Sequence, residues 1–155
     1  MKHTRFFIAC MALLLCAGCS RDAPSTALDV SYDTALTTLE LMHLVVEPSA
    51  DVLWDSAGWI MTLEGEYSLV PTDDDGWFAV ESAASVIIES GNLLKLPERS
   101  SDRAASWLEY STNMSDQGRL ARQAALDRDG DALFQVGASL YQSCVECHDV
   151  YWTIR

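Results

Sequence analysis

The chain has 155 residues, about half of them hydrophobic, with 23 acidic against 10 basic side chains and a formal net charge of −13. That length suits one domain with a single core. The charge excludes a nucleic-acid partner, which would need a basic surface. It suits either plain solubility or attraction to a basic patch on a protein partner.

The first stretch reads as a targeting segment and is set aside before any fold reasoning. Lys2, His3 and Arg5 make a basic start, and Phe6 to Gly18 is an apolar run of thirteen residues, too short to span a bilayer as a helix. The run ends Leu15-Cys16-Ala17-Gly18-Cys19, similar to a bacterial lipoprotein box, with Cys16 where Leu is usual. Residues 1–18 are therefore expected to be a signal peptide and Cys19 the lipidated first residue of the mature chain. An ordinary secretory signal cut near Ala17 or Gly18 is the other reading. Removing Lys2 and Arg5 leaves 8 basic against 23 acidic residues, a mature charge of 8 − 23 = −15. Residues 19–31 are polar, with Pro24 and Ser25, and read as a tether.

Residues 32–155 are expected to form the folded domain. A first helix is predicted over 32–46, with Ala35, Leu39, Met42 and Val46 as its apolar seam. Pro48 interrupts it, and 50–57 reads as a continuing or kinked turn or two. The connection 58–71 carries Trp59, Ile60, Met61 and Leu63, which suggests a loop folded back on the helices. A second helix opens with Thr72 as its N-cap and Asp73, Asp74 and Asp75 in its first turn. Acids there answer the helix dipole and do not call for a calcium site. Its seam is Trp77, Val80, Ala84, Ile87, Gly91 and Leu94, ending before Pro97. The third begins near Ser101 with Ala104, Trp107, Ser111, Met114, Gly118, Ala121 and Ala125 facing inward. Its small residues leave room for a bulky group or a neighbouring helix. It is expected to end around Asp129-Gly130.

A fourth helix, 131–152, repeats Leu133, Gly137, Leu140, Cys144, Cys147 and Tyr151 at alternating four and three. Within it lies Cys144-Val145-Glu146-Cys147-His148, the C-x-x-C-H pattern of c-type haem attachment. Thiols three residues apart on a helix project to one side and can form thioethers to both vinyl groups of one porphyrin. The imidazole after the second thiol then supplies a nitrogen ligand to the iron. A thioredoxin-like pair would sit at a helix N-terminus, whereas this one lies towards the C-terminal end. A structural zinc site needs four ligands, and adjacent Cys147 and His148 fit one tetrahedron badly. The cysteines are then accounted for. Cys10 and Cys16 leave with the signal, Cys19 takes lipid, and Cys144 and Cys147 take one haem c, leaving none for a disulfide.

Four antiparallel helices with mostly short turns, an all-α four-helix bundle with haem on the C-terminal helix, is the expected architecture. The segment from Val136 through Cys144-Val145-Glu146-Cys147-His148-Asp149-Val150-Tyr151 resembles the final helix of the class II c-type cytochromes, the cytochrome c prime group. The resemblance implies a four-helix bundle, covalent haem at Cys144 and Cys147, and His148 as proximal ligand. The family has Arg or Lys directly after the aromatic that follows the haem histidine. Here Trp152 stands there, so that cation does not carry over.

Without a Ser–His–Asp set or a Gly-rich phosphate loop, no enzyme is expected. The chain is expected to be a monohaem cytochrome carrying single electrons in the periplasm. A lipid would anchor it to the outer membrane if Ser20 after Cys19 follows enteric sorting rules, and its partner would be a redox protein with a basic docking patch. The layout also allows a homodimer. The alternative is a protein that binds or senses NO or CO at an open sixth position. Met42 is the candidate sixth ligand, on its helix's seam as in class II relatives with low-spin iron. His43 lies about 100° off that seam, and an open site with Met42 packed above it is the third arrangement.

Overall fold

The computed structural model describes residues 31–152, apart from 101 and 104. The signal-like start, Cys19, the tether up to Val30, Ala104 and Arg155 lie outside the described residues. The described domain is mostly helical, and none of its helices is long and apolar enough to cross a membrane.

The first helix starts six residues later than predicted, because a capping box fixes its origin. Thr37 Oγ1 accepts from the Glu40 N–H, and the Glu40 carboxylate accepts from the Thr37 N–H at 2.9 Å. It then runs without a break as α1 (Thr38–Leu41), a π-helical turn (Met42–Val46) and α2 (Glu47–Asp55). The wider turn, in which the Glu47 N–H reaches back to Met42 O, directly precedes Pro48. Pro48 has no N–H to give, and in a plain α-helix its ring would press on the carbonyl four residues back. The π turn accommodates the proline where a break was expected.

That turn also changes which residues face inward. Leu41, Val46, Ala50, Leu53 and Ala57 are buried, at spacings of five, four, three and four. The five marks the extra residue of the π turn, which shifts the seam relative to the 3.6-residue repeat. Of the predicted seam only Val46 is buried and Met42 half-buried, whereas Leu39 is 65% exposed and Ala35 precedes the helix.

The connection is a hairpin and not a folded-back loop. β1 (Trp59–Thr62) pairs antiparallel with β2 (Gly65–Ser68), Trp59 opposite Ser68 and Thr62 opposite Gly65. Every strand residue is exposed, and Leu63 at the tip is fully so. A two-stranded ribbon offers no second layer to cover its faces. The hairpin is held at its base, where the Leu69 N–H donates to Gly58 O at 3.0 Å and the Trp59 ring leans on Phe134.

Three longer helices follow. In α3 (Asp74–Leu94) the N-cap is Asp73 and not Thr72, its carboxylate accepting from the Gly76 N–H at 2.8 Å; Asp74 and Asp75 occupy the first turn. The six predicted seam residues are all buried. A single turn, α4 (Pro97–Ser100), leads to α5 (Ala105–Asp127), whose Trp107, Ser111, Met114, Gly118, Ala121 and Ala125 are buried as expected. Arg128, with φ +54°, makes the left-handed turn that ends α5, and Gly130 opens α6 (Gly130–Tyr151) with Asp129 as N-cap. Glycine is needed at 130 for space: a Cβ there would lie 2.7 Å from a Val70 methyl.

The α3–α5 contact is the broadest in the domain, α6 packs along α5, and the first helix packs along α3. Leu41, Leu53, Val80, Ile87, Leu133 and Leu140 fill the centre, each fully buried side chain contributing about 1.5–3 kcal/mol before entropy is counted. The small residues of α3 and α5 serve helix–helix approach. A Cβ on Gly91 would lie 2.0 Å from Ser115 Oγ and 2.6 Å from the Ser111 carbonyl, and one on Gly118 would lie 3.0 Å from the Ile88 nitrogen. Because the Ser111 carbonyl is backbone inside a helix, Gly91→Ala should destabilise the domain by about 1–3 kcal/mol, read as a lowered urea midpoint at constant slope.

Candidate functional site

The inward stripe of α6 changes character along its length. Leu133, Gly137 and Leu140 are buried, whereas Cys144, Cys147 and Tyr151, on the same stripe, are half-buried. The two thiols therefore sit one turn apart on one helix face, Cys144 packed against the core and Cys147 nearer the helix end. They are not bonded to each other. His148 follows on the flank of the stripe, half-buried, with the Trp152 ring standing edge-on at 4.6 Å between centroids.

Burial dominates the proton equilibria here. It pushes the Cys144 thiol up, partly opposed by the Ser143 hydroxyl. Burial likewise raises Cys147, Cys144 beside it adds to the rise, and the positive charge of Arg103 works against it. The His148 imidazole is pushed down by burial, which keeps it neutral at pH 7, the form that can bind a metal. Two protonated thiols and a neutral imidazole suit thioether formation and nitrogen ligation. A redox dithiol would need one thiol pulled down towards a thiolate.

The surroundings of this end were not read from the sequence. Tyr151, four residues after Cys147, donates to or accepts from Ser106 Oγ at 2.8 Å and meets the buried Trp107 ring edge-to-face at 5.0 Å. Tyr110 adds a third ring, 6.2 Å from Tyr151. Arg103 lies over Trp107 with its guanidinium carbon 4.1 Å from the ring centroid. The four-residue spacing of Arg99, Arg103 and Trp107 was the available signal, but it falls across a helix boundary.

Of the proposed sixth ligands, Met42 lies on the π turn, half-buried and packed against the core. Chain direction puts it at the thiol end of the molecule. Trp54, at the far end of α2, donates to Gly137 O at 3.0 Å, and Leu36, before α1, accepts from the buried Arg99 at 2.9 Å. Arg99 in turn accepts from Arg103 Nε at 3.0 Å, beside Tyr151. His43 points to solvent, 2.9 Å from Glu47. Met61 is 78% exposed on the hairpin, and Met114 is buried in α5.

The first helix touches α6 mainly through its Glu47–Asp55 half. Between them runs an open apolar groove of about 340 Å³, lined by Leu53, Trp54, Ala57, Phe134 and Tyr141. It lies before Cys144 on the helix and includes neither thiol nor His148, so the chemistry-bearing residues define the site and not this groove. No family model, curated protein or solved structure matches the chain.

In haem-free protein, the raised thiols should alkylate with iodoacetamide at pH 7 several-fold more slowly than an exposed cysteine. The rates should converge as pH climbs past the ordinary thiol value of about 8.5. Fast reaction at pH 7 would revive the redox-dithiol reading.

Proposed function

We propose that this chain is a monohaem c-type cytochrome of four-helix-bundle design that carries single electrons. The observation that carries the reading is the placement of Cys144 and Cys147 one turn apart on the inward stripe of α6, with His148 immediately after them. The donor set fits a covalent haem: two thiols for the vinyl groups and a neutral imidazole for the iron. The antiparallel course of the first helix and α6, and the packing of α3, α5 and α6, support the bundle. Haem would supply a one-electron couple. Cys144 and Cys147 would fix its edge and orientation, and His148 would hold one axial position, with Trp152 covering the imidazole edge. Acid–organic extraction should leave the colour with the polypeptide, and Cys144→Ala with Cys147→Ala should abolish attachment.

Met42 is the residue we propose for the sixth position, because it is half-buried at the thiol end whereas His43 is turned to water. A thioether there would keep the iron's ligation similar in both oxidation states, which suits electron transfer. The ferric protein should then be low-spin with a sulfur-to-iron charge-transfer band that Met42→Ala removes. A high-spin ferric spectrum unchanged by Met42→Ala would move the protein to the gas-binding reading, with Met42 packed over an open site.

We further propose export to the periplasm with a lipid on Cys19, which rests on the sequence Ala17-Gly18-Cys19 after the apolar run. Cys19→Ala should be released in soluble form or accumulate uncut; unchanged membrane association would place the anchor elsewhere.

A further inference from the structure

Arg103 differs from the other surface-facing arginines of this domain. Arg119 pairs with Asp116, Arg122 with Glu81 at 2.6 Å, and Arg128 with Asp74 at 2.6 Å. Among the described residues no carboxylate comes within ion-pair range of Arg103. Its Nε donates to Arg99 O at 3.0 Å, and its terminal nitrogens have no described acceptor. The head group is held instead by aromatic faces, 4.1 Å from the Trp107 centroid and 5.8 Å from that of Tyr151. Trp107 is buried, and Tyr151 follows Cys147 by one helical turn on the same stripe. A half-buried, unneutralised cation thus stands beside the Cys147 edge of the site, in a chain of formal charge −13.

We propose that Arg103 is a positioning residue for charge, which raises the reduction potential of the haem held by Cys144, Cys147 and His148. The inference rests on the haem reading above. Oxidation adds one positive charge to the haem, and a fixed cation nearby opposes that step, so the ferrous form gains. Glu146 and Asp149 pull the other way, but both are exposed on α6, where water and salt screen them. The guanidinium is stacked on rings and only partly wet, so its field reaches the site with less screening.

The test is an equilibrium redox titration of the purified holoprotein, after acid–organic extraction has established its covalent haem. Arg103→Gln should lower the ferrous-to-ferric ratio at fixed ambient potential about tenfold, equivalent to about 59 mV for a one-electron couple. Arg103→Lys should keep most of the wild-type value. Arg103→Met retains an apolar stem over the two rings and supplies the same comparison should Gln impair folding. Haem-loaded Arg103→Gln or Arg103→Met titrating as wild type would overturn the assignment and leave the cytochrome reading intact. Arg103→Lys shifting as far as Gln would overturn it too, by showing that ring stacking and not charge sets the potential. A wild-type protein without covalent haem would overturn both readings together.

Discussion

The rest of the structure depends on the close approach of α3 and α5. Gly91 lets α3 lie against the Ser111 and Ser115 turn of α5, and Gly118 admits the Ile88 backbone in return. Two buried hydroxyls of α5 are satisfied here: Ser115 donates to Ile88 O at 3.0 Å and Ser111 to Trp107 O at 2.7 Å. Larger side chains would separate the axes and break the Ser115–Ile88 bond that joins the two helices. Once α5 is seated, the Trp107 indole N–H reaches Leu94 O at 2.8 Å and closes the end of α3. The same ring receives Arg103 on one side and Tyr151 on the other. Small residues in mid-helix thus set the ring cluster beside Cys147.

On the other side of the domain, the π turn does comparable work. Its extra residue puts Leu41 and Val46 inside together, five positions apart. A plain α-helix would hold those two about 140° apart around the axis. Met42 lies at the start of this wider turn, where it is packed against the core without being enclosed by it. A side chain so placed has contacts to orient it and room to turn, which is the condition an axial thioether needs. π turns recur at functional positions for this reason, since they displace one residue from the regular ladder.

What was legible in the sequence follows from how local each signal is. The seams of α3, α5 and α6 were readable because apolar spacing alone decides the buried face of a long regular helix. The C-x-x-C-H stretch was readable because its spacing is its chemistry. The first helix was misread because Pro48 acts through a π turn, and one extra residue defeats a periodic reading of Ala35, Leu39 and Met42. The hairpin was not legible because the apolar residues of 58–71 suggest a loop folded back on the helices, whereas Gly58 and Gly65, with φ +88° and +141°, turn the chain there. Arg128 makes the left-handed turn while Gly130 lies inside α6, where Val70 leaves no room for a Cβ, and that packing is a tertiary effect no local rule carries. The Arg103 cluster joins α5 to α6 across a helix boundary, so it needed the fold.

The two ends of the domain differ in how they arrange charge. Around the thiols the cations are inside: Arg99 is buried on backbone carbonyls and Arg103 is stacked on rings. Glu98, Asp102, Glu109, Glu146 and Asp149 are exposed around them. Charge so arranged acts at two ranges. Exposed acids of this kind would attract a basic patch over distances of about 8–10 Å at physiological salt. The shielded cations act at short range, where the low-dielectric rings preserve their field. At the opposite end, roughly 20 Å back along α6 at 1.5 Å per residue, the hairpin rests on Phe134 with its apolar residues in water. That end is acidic too, with Glu64, Glu66, Asp73, Asp74, Asp75 and Asp131 exposed. Acidic charge alone therefore does not separate the two ends for a basic partner, whereas in a single-electron carrier Arg103 would tune the electron's energy wherever that partner docks.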